Sequence, residues 1–213
     1  MRVFIGLLLA SISFAQNLQL HYETAKDRGY FVSTLEMFQP DAYGSTFWFV
    51  DMEYDSQNDH GMSLGYWEIA RVFQLPVERL SATVQYNDGV ASFGALGQTW
   101  LVGVNYVFQL GAVDIPLDIL YRAQEGADGP DVQLTATWFQ PLLDGHLEWS
   151  GFLDIWSQDG AGGTDWVLLS EPQLWYNAND HFAVGSEVEI SSNFVFGETG
   201  LVFKPTLGLR WTF

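Results

Sequence analysis

The last thirteen residues of the chain, 201–213, alternate strictly between two kinds of side chain. The odd positions are apolar, and they are Leu201, Phe203, Pro205, Leu207, Leu209, Trp211 and Phe213. The even positions include Lys204, Thr206, Gly208, Arg210 and Thr212. A period of two puts the apolar side chains on one face of a β-strand and the charges on the other. The stretch therefore predicts a strand between hydrocarbon and a wet interior, or a strand of a soluble sandwich with its apolar face in the core.

Apolar residues are abundant along the whole chain but never form a membrane-spanning run. Hydrophobic residues make up 48% of the sequence and aromatic residues 16%, yet no run of about 20 apolar residues occurs beyond Phe14. This excludes a helical membrane protein, whereas apolar residues at every second position are typical of a barrel that crosses a membrane with strands. The chain has no cysteine, so an exported form depends on its core or on a closed hydrogen-bonded ladder.

The first fifteen residues have the pattern of a secretory signal peptide. Arg2 is followed by an apolar run from Val3 to Phe14, and Ser13-Phe14-Ala15 is a small-x-small cleavage signature. We expect residues 1–15 to be removed on export and residues 16–213 to form one domain in the bacterial outer membrane. The formal net charge is −18, from 26 acidic and 8 basic side chains, which argues against nucleic acid as a partner because phosphate binding needs a basic surface.

Turn signals divide the mature chain into twelve alternating segments. The predicted strands lie near 17–23, 29–38, 44–54, 62–73, 79–87, 98–109, 114–122, 131–140, 146–156, 165–176, 181–190 and 201–213. The even number predicts an all-β fold, a twelve-stranded antiparallel transmembrane β-barrel with both termini on the periplasmic side. Three prolines fall inside these segments and are expected near strand ends or at bulges, namely Pro116, Pro172 and Pro205.

The connections between the predicted strands are of two kinds. Longer ones, acidic and rich in glycine, are expected on the outer side, and they include 55–60, 88–97, 125–130, 159–164 and 191–200. Short ones are expected on the periplasmic side, and they are 39–42, 74–77, 111–113, 142–145 and 177–180. Short turns on one side and longer loops on the other are typical of outer-membrane barrels.

Alternation also sorts side chains between lipid and lumen. Trp100, Val102, Val104, Tyr106 and Phe108 are predicted to face outward. The predicted inward carboxylates are Glu23, Glu36, Asp51, Glu53, Glu68, Asp114, Asp118, Glu148, Asp154, Glu171, Glu187 and Glu189, and the predicted inward cations are Arg71, Arg122, Lys204 and Arg210. An excess of carboxylates in a low-dielectric pore attracts cations and repels anions, so the sequence predicts a cation-selective lumen.

Two neighbouring predicted strands give the clearest candidate binding surface. Phe47, Phe49, Asp51 and Glu53 share one face of the first strand, and the second strand carries Glu68 and Arg71. Aromatic rings can stack a planar base while charged groups hydrogen-bond a sugar. The alternative is that the aromatic residues fill a narrow lumen and Glu68 pairs with Arg71 or with charges on facing strands. The predicted lumen-lining site is Phe47, Phe49, Asp51, Glu53, Glu68, Arg71, Arg122, Glu148, Asp154, Lys204 and Arg210.

Other motifs give weaker indications of chemistry. Residues 61–65 match the G-x-S-x-G pattern around Ser63, but an aromatic strand follows where a hydrolase has a helix. The four histidines show no metal-ligand spacing, and the acidic stretches 55–61 and 159–165 resemble calcium loops less than solvated turns. We therefore predict no catalytic residue, no metal and no cofactor.

Three runs carry a family resemblance: FQPDAYGSTFWFVDMEY at 38–54, GYWEIARVF at 65–73 and DGHLEWSGFLDIW at 144–156. In that order they resemble the Tsx-type nucleoside-specific channel family and its outer-membrane relatives. The resemblance implies a monomeric twelve-stranded barrel with a narrow nucleoside channel. It also implies that Asp51, Glu68, Arg71 and Asp154 occupy positions of the family's motifs. The terminal aromatic residue Phe213 resembles the assembly signal that outer-membrane barrels present to their assembly machinery.

The function expected from these observations is passive diffusion of small polar solutes, with nucleosides as the first candidate. Membrane lipid, such solutes and the outer-membrane assembly machinery are the expected partners. Two alternatives remain open. One is a barrel enzyme of the phospholipase type, which needs Ser63 and a histidine together on the outer, lipid-facing surface. The other is a structural barrel plugged by its own side chains.

Overall fold

The computed structural model describes residues 15–26, 28–54, 61–111, 113–160, 163–195, 197–198 and 200–213. Its strands are β1 (Ala15–Glu23), β2 (Phe31–Asp41), β3 (Gly44–Tyr54), β4 (Leu64–Gln74), β5 (Leu80–Ala91), β6 (Thr99–Leu110), β7 (Val113–Gln124), β8 (Asp131–Leu142), β9 (Leu147–Gly160), β10 (in two segments, Gly163–Ser170 and Gln173–Asn177), β11 (Phe182–Ser192) and β12 (Val202–Thr212). A two-residue strand, Gly94–Ala95, pairs with β5, and a single 3-10 turn, Leu143–Gly145, joins β8 to β9. The predicted signal peptide lies almost wholly outside the described residues.

Each strand pairs in antiparallel fashion with the strands before and after it, and β12 returns to pair with β1. The closing ladder runs from Asn17 opposite Thr212 to Glu23 opposite Thr206. The predicted twelve-stranded antiparallel barrel is therefore confirmed. Among the described residues, no helix is long and apolar enough to cross a membrane.

The two faces of the wall differ as the alternation predicts. On β12, Phe203 is 58% exposed and Leu207 is 65% exposed, whereas Lys204 and Thr206 between them are 5% and 3% exposed. The apolar residues thus lie on the outer surface and the polar residues inside. The same division holds on β6, whose five predicted outward residues from Trp100 to Phe108 are all exposed. An outer surface of exposed apolar side chains is stable in contact with the hydrocarbon of a membrane.

The three prolines lie where a neighbouring ladder ends or a strand is interrupted. Pro116 precedes the β7–β8 ladder, which begins with Leu117 opposite Ala136. Pro205 lies beyond the end of β1, where its carbonyl accepts hydrogen bonds from the Thr24 amide and hydroxyl. Pro172 separates the two segments of β10. At each position the missing N–H of proline interrupts no ladder on that side of the strand, as expected from the sequence.

The two ends of the barrel differ in their connections. The terminal rim, which carries Ala15 and Phe213, has the short connections 42–43, 75–79, 143–146 and 178–181. The opposite end, the loop rim, has the connections 24–30, 92–98, 125–130 and 193–201 among others. Two of the loops at the loop rim are shorter than predicted, because Asp88–Ala91 and Asp159–Gly160 continue the ladders of β5 and β9 despite their turn-like composition. The acidic stretch 55–60 lies outside the part of the chain that the structure describes.

Candidate functional site in the barrel interior

The predicted aromatic surface is on the inner wall of β3. Phe47, Phe49, Asp51 and Glu53 occupy alternate positions, and the Thr34 hydroxyl donates to Asp51 Oδ1 at 2.5 Å. The ring centroids of Phe47 and Phe49 are 6.0 Å apart, and the ring of Phe49 is 6.0 Å from that of Tyr66 on β4. The three rings form a ladder along the wall. We call Phe47, Phe49 and Tyr66 the ring ladder.

Glu68 lies beside the ring ladder, opposite Phe49 in the β3–β4 register and two residues from Tyr66. Its carboxylate accepts hydrogen bonds from the Tyr66 hydroxyl and, at 3.0 Å, from Asn87 Nδ2 on β5. It also has charge–charge interactions with Asp51, Asp154 and Arg122, which belong to three other strands. Because these groups reach Glu68 from β3, β9 and β7, they face one another across the lumen.

Arg71 does not belong to this interior group, and its predicted inward position is wrong. Glu68 and Arg71 are three residues apart on one strand, and an odd separation puts two side chains on opposite faces. Arg71 lies on the outer surface near the terminal rim, where its guanidinium donates to both carboxylate oxygens of Asp41 at 2.6 and 3.0 Å. It also lies over the Phe73 ring at 5.1 Å. The alternative pairing of Glu68 with Arg71 is excluded for the same reason.

A buried tryptophan, which the sequence did not single out, occupies the interior between β9 and β12. Trp175 has no exposed surface, and its Nε1 donates to Gln173 Oε1 at 2.8 Å. The Arg210 guanidinium lies 4.8 Å from the Trp175 ring centroid, and His21 meets the ring edge-on at 5.5 Å. Gly185 supplies the space, because a β-carbon there would lie 2.5 Å from the Trp175 ring. A glycine in a strand that marks such a close approach is the only sequence signal for this packing.

Arg210 links Trp175 to the terminal rim. Its Nη1 and Nη2 donate to the two carboxylate oxygens of Glu148, Nη2 at 3.0 Å. Nη2 also lies 3.2 Å from Asn177 Oδ1. A recess of about 390 Å³ opens beside these groups, and His146 and His181 form part of its lining. The predicted site residues Glu148 and Arg210 therefore form one bidentate pair inside the barrel.

A network of ion pairs lies at the loop-rim end of β1, β11 and β12. Lys204 Nζ is 3.0 Å from Glu189 Oε1 and 2.8 Å from Glu198 Oε2. Arg28 Nη2 is 3.0 Å from Glu189 Oε2, and Arg28 Nη1 is 3.2 Å from Glu23 Oε1. We call Glu23, Arg28, Glu189, Glu198 and Lys204 the paired cluster.

Arg28 is a member of the paired cluster that the sequence pattern missed, because it lies in a connection where alternation gives no face. Burial alone would lower the pKa of the Arg28 guanidinium, but the carboxylates of Glu23 and Glu189 outweigh burial and raise that pKa. Arg28 therefore stays cationic at every ordinary pH and brings a positive charge from the connection into the mouth of the barrel.

Arg122 has a different environment. It is 9% exposed on the inner face of β7, and its guanidinium lies 5.5 Å from the ring centroid of Trp156 on β9. Within the described residues, no carboxylate oxygen lies within 4.0 Å of it. Asp154 comes from the same strand as Trp156 and interacts with Arg122 through its charge. The predicted site residues Arg122 and Asp154 thus share one region of the lumen.

Among the described residues, no hydrogen bond joins Ser63 to a histidine. The Ser63 hydroxyl lies at the loop rim, 3.4 Å from the Glu53 carbonyl and 3.5 Å from Glu53 Oε2. His21 is inside the barrel, and His146 and His181 are at the terminal rim. His60, the neighbour of Ser63 in sequence, lies outside the described residues. Among the residues described, no group of three or more His, Asp or Glu side chains is arranged to hold a metal ion.

A closed antiparallel barrel with an apolar outside and a polar, charged inside has the architecture of transmembrane β-barrels. The chain belongs to the family described as "Domain of unknown function (DUF5020)", whose sequence model matches residues 15–213. No curated protein matches the chain.

Solved structures of the same architecture are similar to it. One is the NanC porin, with a TM-score of 0.61 and 9% identity over 93% of this chain and 99% of that one. Another is outer membrane phospholipase A from Escherichia coli, with a TM-score of 0.51 and 9% identity over 93% of this chain and 92% of that one. At this identity the likeness shows the fold, and function has to be argued from the interior.

Proposed function

We propose that this protein is an outer-membrane channel through which small polar solutes diffuse passively, with nucleosides as the first candidate. The observation that carries the proposal is the ring ladder on the inner wall, with Glu68 beside it and hydrogen-bonded to its Tyr66 hydroxyl. Rings offer faces to a planar base, and the carboxylates of Asp51 and Glu68 are acceptors for sugar hydroxyls. The resemblance of residues 38–54 and 65–73 to the Tsx-type channels supports the same solute class.

The exposed apolar outer surface supports a location in the outer membrane, since such a surface is stable against lipid and unstable against water. Closure of the barrel leaves no strand edge for another copy to extend, which supports a monomer. Strand β12, with Phe213 after it, is the segment proposed to contact the assembly machinery.

The first test measures uptake into liposomes that contain the purified barrel. We expect uridine and adenosine to enter faster than hexoses or amino acids of similar size, and nucleotides to enter poorly because of their negative charge. Protein-free liposomes give the background. Equal entry of all solutes would contradict nucleoside preference, and no entry of any solute would indicate a plugged structural barrel.

The second test addresses charge selectivity. Inside the described barrel the carboxylates outnumber the cations, which are Arg28, Arg122, Lys204 and Arg210. We expect reversal potentials in asymmetric salt to show cation preference, and this preference should weaken at about 1 M salt, where the Debye length is about 3 Å. Asp51→Asn and Glu68→Gln should reduce it, whereas Asp41→Asn, on the outer surface, is the matched control and should not. Anion selectivity would contradict the proposal.

The proposal assigns no catalytic residue, and a lipid hydrolysis assay tests this directly. The purified barrel and its Ser63→Ala variant are compared on phospholipid vesicles. We expect no hydrolysis by either form. Hydrolysis that disappears in the variant would replace the channel with an enzyme of the phospholipase type.

A further inference from the structure

On the wall formed by β5 to β9, four polar atoms in the loop-rim half of the lumen are buried without a hydrogen-bond partner among the described residues. They are Asn87 Oδ1, Arg122 Nη1, Asp154 Oδ1 and Trp156 Nε1. We call these four residues the unpaired cluster. Buried polar groups in folded proteins nearly always have a partner, so several unpartnered atoms in one region point to a missing molecule.

The strand registers place the four residues on neighbouring parts of one inner wall. Asn87 on β5 is two strands from Arg122 on β7, with Thr99 and Leu101 of β6 between them. Arg122 covers the Trp156 ring at 5.5 Å. Trp156 and Asp154 are inward-facing neighbours, two residues apart on β9.

Glu68 on β4 is the cross-strand partner of Asn87 on β5 and extends the wall of the cluster by one strand. It holds Asn87 through the 3.0 Å bond to Nδ2, which leaves the Asn87 carbonyl oxygen as the unused atom. Its carboxylate interacts through charge with both Asp154 and Arg122. The unused atoms of the cluster therefore border one part of the lumen, next to the ring ladder.

The chemistry of the unused atoms defines what can satisfy them. Arg122 Nη1 and Trp156 Nε1 are donors, whereas Asn87 Oδ1 and Asp154 Oδ1 are acceptors. A hydroxyl group donates and accepts at once, so a molecule with several adjacent hydroxyls fits all four. Two acidic side chains, Asp154 and Glu68, lie beside the single guanidinium of Arg122, which favours an uncharged solute over an anion.

Resting on the proposed channel function, we propose that the unpaired cluster is a binding site for the pentose of an uncharged nucleoside. The sugar hydroxyls bridge the donors of Arg122 and Trp156 to the acceptors of Asn87 and Asp154. The base lies toward the ring ladder, whose last ring, Tyr66, is fixed to Glu68 by its hydroxyl. The hydrogen bonds to the sugar thus provide the affinity at this site, and the aromatic rings can stack against different bases.

The test is isothermal titration calorimetry of the purified barrel in detergent with uridine, ribose, uracil and uridine monophosphate as separate probes. We expect binding of uridine and ribose, and weaker binding of uracil and of the monophosphate. Arg122→Gln and Asn87→Ala should each weaken uridine binding at least about tenfold, as for a lost hydrogen bond to a charged or buried group. Arg71→Gln removes the same charge from the outer surface and should leave the affinity unchanged. Heat-modifiable migration shows that each variant is folded.

The outcomes separate this site from the channel proposal. Uridine uptake by the wild-type barrel with unchanged affinity in both interior variants would overturn the site and leave the channel. Uridine binding that both variants weaken, without any uptake, would support the site and overturn the channel. No binding of uridine or ribose to the wild-type barrel would mean that water fills the four positions, and would overturn the site.

Discussion

The paired cluster and the unpaired cluster lie in the same half of the barrel but differ in the contacts of their cations. In the paired cluster, Lys204 and Arg28 each contact two carboxylates at 2.8 to 3.2 Å. In the unpaired cluster, the Arg122 guanidinium has an aromatic ring beneath it and an unused nitrogen. A cation that contacts two carboxylates stabilises the wall, whereas a cation with an unused nitrogen remains available to a solute. The comparison teaches that inward-facing charges of one lumen need not share one role.

The largest expected effect comes from breaking the paired cluster. Lys204→Met should lower the free energy of unfolding by about 3–5 kcal/mol, because this buried cation contacts Glu189 and Glu198, and only Glu189 keeps a second cation, Arg28. Arg122→Met is the matched change in the unpaired cluster and should cost about 1 kcal/mol or less, since no carboxylate depends on direct contact with it. Urea titration measures both losses, with the folded fraction read from the heat-modifiable band on gels. Equal losses would show that the two clusters do not differ.

A second prediction concerns the packing of the interior around Trp175, toward the terminal rim from the paired cluster. Gly185→Ala should destabilise the barrel by about 1–3 kcal/mol, because its β-carbon would overlap the Trp175 ring and the Leu174 carbonyl. Gly129→Ala is the control, since a β-carbon there meets nothing within 4 Å. The same urea titration gives the values. A tolerated Gly185→Ala would mean that Trp175 moves freely and that this wall is not tightly packed.

A smaller effect is expected where the paired cluster reaches the mouth. Arg28→Gln removes one guanidinium that contacts both Glu23 and Glu189, and Lys204 remains to hold Glu189. We expect a loss of about 1–2 kcal/mol, below that of Lys204→Met, because Arg28 is more exposed than Lys204. Urea titration again provides the measurement. A loss as large as that of Lys204→Met would make Arg28 the main cation of the cluster.

The smallest effect is expected outside the lumen. Arg71→Gln should leave single-channel conductance and ion selectivity unchanged, because Arg71 pairs with Asp41 on the outer surface. Arg122→Gln is the matched interior change and should alter both in planar bilayers. Altered conductance in the Arg71 variant would return that residue to the lumen and contradict the observed register.

Strand positions and faces were largely predictable because a period of two is a strong signal in this chain, and β12 is the clearest case. The motif that contains Glu68 and Arg71 predicted one face for both residues. They are three positions apart on one strand, however, and an odd separation places them on opposite faces. Arg28 had no predictable face because it lies in a connection. Trp156 gave no signal, since a tryptophan suits both the lipid-facing surface and a buried interior position.

The pairing of β1 with β12 bears on the order in which the barrel assembles. His21 Nδ1 lies 2.8 Å from Thr206 Oγ1 across this seam, and residues 185 positions apart in the chain must meet to make the contact. Contacts between such distant residues form late, since a long loop must close first. Glu23 and Lys204 flank the same seam, and Arg28 and Glu189 connect them. Among the ion pairs of the paired cluster, Arg28–Glu189 is the one that crosses the seam, so it forms only when the first and last strands join, and it stabilises the closed barrel.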